Sequence, residues 1–116
     1  MALKSHTQRY EFRAKAKQRP RMSKRGRAYT PKATHEFETK VSSGWNKRKR
    51  FRDKPVSVSI ELGKDYFVVH VQELDVHTPT ALRGDIDNYV KSILDGLNGI
   101  AWDDDIQVRE LKAIKL

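Results

Sequence analysis

With 116 residues, 37% of them hydrophobic and 34% charged, the chain has enough material for one domain with a modest core. It has no cysteine, which excludes a disulfide framework and a thiolate metal site. No apolar run approaches the roughly 20 residues needed to cross a bilayer, and the N-terminus lacks a signal-peptide pattern, so a cytoplasmic protein is expected.

The net charge of +9 is unevenly spread. Residues 1–54 hold 18 Lys or Arg against 4 Asp or Glu, giving +14, whereas residues 55–116 hold 6 against 11, giving −5. Of the 23 Val, Ile and Leu residues, only Leu3 and Val41 precede residue 55. The second half must therefore supply the aliphatic core, and the first attaches through Tyr10, Phe12, Tyr29, Phe37, Trp45 and Phe51.

In chain order, residues 9–15 read as a first strand with Tyr10 and Phe12 facing one way. Residues 16–27 carry Arg19, Arg21, Lys24, Arg25 and Arg27 and are interrupted by Pro20 and Gly26. They form either a solvated loop or a phosphate-contacting loop or hairpin. The acidic stretch further along the chain favours the second, because each Lys or Arg that neutralises a phosphate strengthens binding through counterion release. Thr30 as N-cap and Pro31 as first residue begin a short helix over about 31–41, with Phe37 and Val41 on its buried face and Ser42, Ser43 and Gly44 at its end. The run Lys47, Arg48, Lys49, Arg50, Phe51, Arg52 is the densest basic segment, first a candidate for DNA-backbone contact with Phe51 as anchor, with a solvated loop or a nuclear-localisation-like sequence as the other readings.

Val56, Val58, Ile60 and Leu62 alternate with Ser57, Ser59 and Glu61, the pattern of a strand with one covered face. Gly63, Lys64 and Asp65 turn the chain, and residues 66–74 return as the antiparallel partner. His70 in that strand has no surrounding motif and reads as structural. Residues 75–82 form the loop into the next helix.

That helix, about 87–98, is signalled by Ile86, Val90, Ile93, Leu94 and Leu97 at helical spacing and by a stop at Asn98 and Gly99. It opens the acidic region of the chain. Residues 83–108 hold six of the fifteen acidic residues: Asp85, Asp87, Asp95, Asp103, Asp104 and Asp105. One Asp at a helix start is explained by capping and the helix dipole. Three consecutive Asp before Ile106, Gln107 and Val108 suggest a strand that returns beside the helix start, with residues 111–116 continuing it. Converging carboxylates repel by roughly 4 kcal/mol per pair at 4 Å and an effective dielectric near 20. A divalent cation with oxygen ligands is their natural complement.

The pattern Asp85-x-Asp87-Asn88-x-x-Lys91, then Asp95-x-Leu97-Asn98-Gly99, then Trp102-x-Asp104-Asp105-x-Gln107-Val108 resembles the RusA-type Holliday-junction resolvases of bacteria and their prophages. Arg19, Pro20 and Arg21, followed by residues 26–31, resemble the N-terminal region of phage-type members. The likeness spans about residues 10–112. It implies metal-binding carboxylates at Asp85, Asp87 and Asp105, with Asp104 as the alternative third ligand, and a catalytic lysine at Lys91. It also implies a Mg²⁺-dependent endonuclease, with Mn²⁺ an acceptable substitute, that acts as a homodimer and nicks a four-way DNA junction symmetrically in recombination and repair. Gly84 stands where basic residues often precede the first Asp, leaving Arg83 as the basic lead-in.

The expected architecture is α+β: an antiparallel or mixed sheet packed by one main helix and a shorter N-terminal helix. It forms a single domain over residues 1–116, with a basic N-terminal region over residues 1–54 and a metal-site core over residues 55–116. Arg19, Arg21, Lys24, Arg25, Arg27, Lys47, Arg48, Lys49, Arg50 and Arg83 are the expected DNA contacts. The competing expectation is a basic nucleic-acid-binding module without chemistry. Candidate docking surfaces for a second copy are Trp102 with the strand after it, or residues 66–74, with intrachain core as the competing explanation for both.

Overall fold

The computed structural model describes residues 3–17, 21–22, 26–29 and 31–116. The chain is α+β and divides into two compact units, Met1–Val76 and His77–Leu116.

In the first unit, β1 (Ser5–Tyr10), β4 (Val56–Leu62) and β5 (Phe67–Glu73) form an antiparallel sheet in the order β1-β5-β4. The hairpin β4–β5 has the expected turn, in which Gly63 N donates to Tyr66 O at 2.9 Å and Leu62 faces Phe67. The first strand starts four residues earlier than expected and ends at Tyr10, because its partners on β5, from Gln72 to Phe67, run out there. β5 is the central strand. Both its hydrogen-bonding edges are occupied, which removes them as a pairing edge for a second copy.

The short strands β2 (Arg21–Met22) and β3 (Ala28–Tyr29) pair antiparallel, with Arg21 opposite Tyr29 and Met22 opposite Ala28. α1 (Lys32–Gly44) follows, with Pro31 rather than Thr30 at the N-cap. Thr30, like Arg19, Lys24 and Arg25, lies outside the described residues. The helix runs three residues past the expected 41, since two serines and a glycine cost propensity without removing a backbone donor.

Aromatic rings join these pieces. Phe67 stacks on Tyr10 at 4.7 Å between centroids and meets Phe12 edge-on at 5.3 Å and Phe37 of α1 at 5.9 Å. The Tyr10 hydroxyl donates to Val41 O at 2.8 Å, pinning the helix to the end of β1. Tyr10 and Phe67, each 4% exposed, are the buried hydrophobic residues of the described chain. The expected covered face of β4 differs from this: Val56, Val58, Ile60 and Leu62 are all exposed. β4 is an edge strand, and the ring cluster sits where β1 ends and β5 begins. His70 is a sheet residue, with Nδ1 2.7 Å from Thr7 Oγ1 on the neighbouring strand.

Burial pushes the Tyr10 phenol above the ordinary tyrosine range. The folded state thus holds this proton more tightly than the unfolded chain. The associated stability is complete below the ordinary tyrosine pKa of about 10 and is lost as pH rises through the folded value. Thermal melts between pH 8 and 11 are expected to show an alkaline loss that is smaller in Tyr10→Phe, which itself costs about 1 kcal/mol at neutral pH through the missing hydrogen bond. An equal alkaline loss in both proteins would assign it elsewhere, Tyr66 beside Glu61 being the other phenol with a raised pKa.

The second unit holds α2 (Ile86–Leu97), one residue ahead of the expected span. Asn98 is its C-cap and Gly99 follows at φ +80°, a left-handed conformation that glycine adopts without steric cost. Gly99 N then donates to Trp102 O at 2.8 Å, turning the chain sharply into the Asp run. Of the apolar stripe, Val90 and Leu94 are half-buried. Where a final strand was expected, Asp105–Gln107 instead forms a single 3₁₀ turn, and residues 108–116 have no regular structure. The physical reason is a capping box that outcompetes strand pairing.

Candidate active site

The start of α2 is built from residues on either side of Asp85. Gly84 N donates to the Tyr89 hydroxyl at 3.1 Å, and a Cβ at position 84 would stand 3.0 Å from the Tyr89 ring. The tyrosine, one turn into the helix, thus occupies the room that a side chain before Asp85 would need. Gly84 O accepts from Lys115 Nζ at 3.0 Å, and the Thr80 hydroxyl bonds Leu116 O, so the C-terminal residues fasten the loop that leads into the helix. Nothing in the sequence pattern pointed to Tyr89 or Lys115, since neither contact follows from periodicity.

Asp85 is the N-cap of α2, yet its side chain makes no capping hydrogen bond. Its backbone carbonyl alone accepts from Asn88 N and Tyr89 N. Asp87 lies in the first turn. Both carboxylates are exposed and stand at the positive end of the helix dipole. Capping accounts for the position of Asp85 but leaves its carboxylate oxygens uncommitted. Lys91, one turn beyond Asp87, pairs with Asp95 through Nζ to Oδ2 at 3.1 Å. Both partners are more than half exposed, so this i, i+4 pair contributes only about 0.3–0.5 kcal/mol.

The three consecutive Asp have three different environments. Asp104 accepts from Ile106 N at 3.0 Å and caps the 3₁₀ turn, while Gln107 Oε1 reaches back to Asp103 N at 2.8 Å and Asp104 N at 3.1 Å. Asp105 is half-buried, and its Oδ1 accepts from Trp102 Nε1 at 2.8 Å. The indole fixes one carboxylate oxygen and leaves the other available. Among the described residues no group of three His, Cys, Asp or Glu is placed to hold a metal ion. The donor set itself suits a hard divalent cation: oxygen only, with uncommitted atoms on Asp85, Asp87 and Asp105.

Of the expected DNA contacts, Arg27 and Arg83 are exposed, and the backbone of Arg21 belongs to β2. Lys47, Arg48 and Arg50 line a cleft of about 580 Å³ in the first unit, together with Lys4, Arg52 and Lys54. Lys49 is placed differently, its carbonyl accepting from Trp45 Nε1 at 2.9 Å. Arg52 and Lys54 were within reach of a charge count, but Lys4 was not, because only strand register brings it beside residue 50.

Exposed carboxylates at a helix start in one unit and a dense basic run in the other are residue types that DNA-acting proteins use. The sequence matches the family described as endodeoxyribonuclease RusA over residues 11–116, nearly its whole length, and the chain belongs to that family of DNA-binding, Holliday-junction-resolving endodeoxyribonucleases. No curated protein and no solved structure matches it. Membership makes branched DNA the substrate class and recombination the setting, and divalent-metal dependence is general among these nucleases. Among the described residues no helix is long and apolar enough to cross a membrane.

Proposed function

We propose that the protein is a Mg²⁺-dependent resolvase that makes paired symmetric nicks across a four-way junction, with Asp85, Asp87 and Asp105 as metal ligands and Lys91 as the catalytic lysine. The observation that carries this reading is that the Asp85 carboxylate stands at a helix N-terminus without serving as its cap. Asp104 is the weaker choice for the third ligand, because its oxygen is engaged by the 3₁₀ turn.

A divalent cation held by these oxygens supplies polarisation of a phosphate oxygen and a lowered pKa for an attacking water. The protein's own groups do the rest. Trp102 fixes the orientation of Asp105, and Gln107 locks the turn that presents it. Lys91 leaves Asp95 at little cost, since their pair is solvent-exposed, and its ammonium offsets charge on the pentacovalent phosphate. Two such sites are needed for paired incisions, and a C₂ homodimer matches the approximate two-fold symmetry of the junction. Such an enzyme acts at the nucleoid, in the cytoplasm of a bacterial or phage-infected cell.

A synthetic four-way junction, incubated with Mg²⁺, with Mn²⁺ or with EDTA, tests this directly. Paired nicks at symmetric positions in Mg²⁺, comparable cutting in Mn²⁺ and none in EDTA are the expected result. Salt-sensitive binding without any nicks would return the chain to a non-catalytic binding module.

A further inference from the structure

Residues 47–54 put six cations into eight positions, and like charges at that density normally splay into solvent. Here the backbone beneath them is held in place. Trp45 Nε1 donates to Lys49 O at 2.9 Å, and Lys49 N donates to Asn46 O at 2.9 Å. Lys4 Nζ donates to Arg50 O at 3.2 Å and stands 5.6 Å over the Phe51 ring. Lys4 is itself fixed beside the end of β5, its N donating to Glu73 Oε1 at 2.6 Å and its O accepting from Glu73 N at 2.8 Å.

The outcome is the 580 Å³ cleft lined by Lys4, Lys47, Arg48, Arg50, Arg52 and Lys54, with Asp53 and Glu73 as its acidic members. Six cations against two acids leave a formal charge of +4. None of the six makes an ion pair with a carboxylate among the described residues. Glu73 keeps its negative charge, already counted in the +4, and its Oε1 is held in place by the Lys4 main chain.

Field strength and shape together narrow the ligand. An open trough of unpaired cations suits a polyanion that runs through it, where each neutralised phosphate releases counterions. Single-stranded nucleic acid is held mainly by stacking on exposed aromatic faces. The nearby rings do not offer one: Phe51 is half-buried with Lys4 over it, and Trp45 meets His6 edge-on at 5.0 Å.

We propose that this cleft is a metal-independent seat for the sugar–phosphate backbone of a duplex DNA arm. It assigns Lys4, Arg52 and Lys54 as phosphate contacts alongside Lys47, Arg48 and Arg50. The proposal rests on DNA being the substrate and is otherwise independent of the carboxylate chemistry.

The test is salt-titrated binding of the full chain to a labelled DNA duplex and four-way junction in EDTA, where no cutting competes. The triple variant Arg50→Gln/Arg52→Gln/Lys54→Gln is expected to flatten the slope of log K against log salt by about 2.7, at ~0.9 per lost phosphate contact, and to weaken binding roughly 10²-fold or more at 0.1 M salt. Its melting temperature should be unchanged, since these side chains make no ion pair. Asp53→Asn, which removes a cleft acid, is expected to tighten binding and provides a gain-of-affinity result that no folding defect can mimic. An unchanged slope in the triple variant, or weaker binding by Asp53→Asn, overturns the seat. Failure to nick in Mg²⁺ with this binding intact would count against the metal chemistry alone.

Discussion

Asp85→Asn and Asp105→Asn are each expected to lower the rate of junction nicking by about 10²–10³-fold or more, the scale seen when one preorganised electrostatic group is removed from a site. Binding in EDTA should stay level or tighten, because each change removes a negative charge beside DNA. The contrast is with Asp104→Asn. An amide oxygen can still accept from Ile106 N at the head of the 3₁₀ turn, so this variant is expected to keep most of its activity. Single-turnover cleavage in Mg²⁺, run beside the EDTA binding assay, separates these outcomes. Full activity in Asp105→Asn together with loss in Asp104→Asn would exchange the roles of the two residues.

The second large effect concerns folding. Phe67→Ala is expected to cost about 3–5 kcal/mol, the range for truncating a buried aromatic. Phe67 touches Tyr10, Phe12 and Phe37, so its removal unties both β1 and α1 from the central strand. With so few residues fully buried, a loss of that size is comparable to the whole stability of a small domain. Urea titration followed by far-UV circular dichroism should find the variant largely unfolded at 37 °C. A loss under about 1 kcal/mol would mean that the ring cluster is not what joins β1 and α1 to the sheet.

Local signals made much of this structure legible in the sequence. The alternation Val56, Val58, Ile60, Leu62, the turn at Gly63 and the return strand gave the β4–β5 hairpin nearly to the residue. The stripe from Ile86 to Leu97 and the stop at Gly99 gave α2 within one position. Tyr10 and Phe12 both join the ring cluster, although the strand holding Tyr10 begins earlier than its pattern suggests. What periodicity could not carry was whatever depends on a partner distant in the chain. β1 starts at Ser5 because Gln72 is opposite it, and Lys4 reaches the cleft for the same reason. The segment after Trp102 misled for a different reason. Ile106, Gln107 and Val108 alternate like a strand, but Asp104 and Gln107 are also three apart with a capping acceptor first, and that closer interaction prevailed. The motif residues themselves, Asp85, Asp87, Lys91 and Asp105, were legible as a pattern. Their hydrogen-bond partners were not.

The Asp run also bears on how freely this sequence can drift. At 104 the structure asks for a short side chain with an acceptor oxygen, a need that Asn or Ser also meets. Position 105 is held to a geometry by an indole three residues away, so changes at Trp102 and Asp105 are coupled. Position 103 contributes only its main-chain N–H to Gln107, a service that every residue except proline provides. Three identical letters in a row thus carry three unequal constraints. The tolerant one is the first, and a chain related by descent can replace it without disturbing the turn that presents its neighbours.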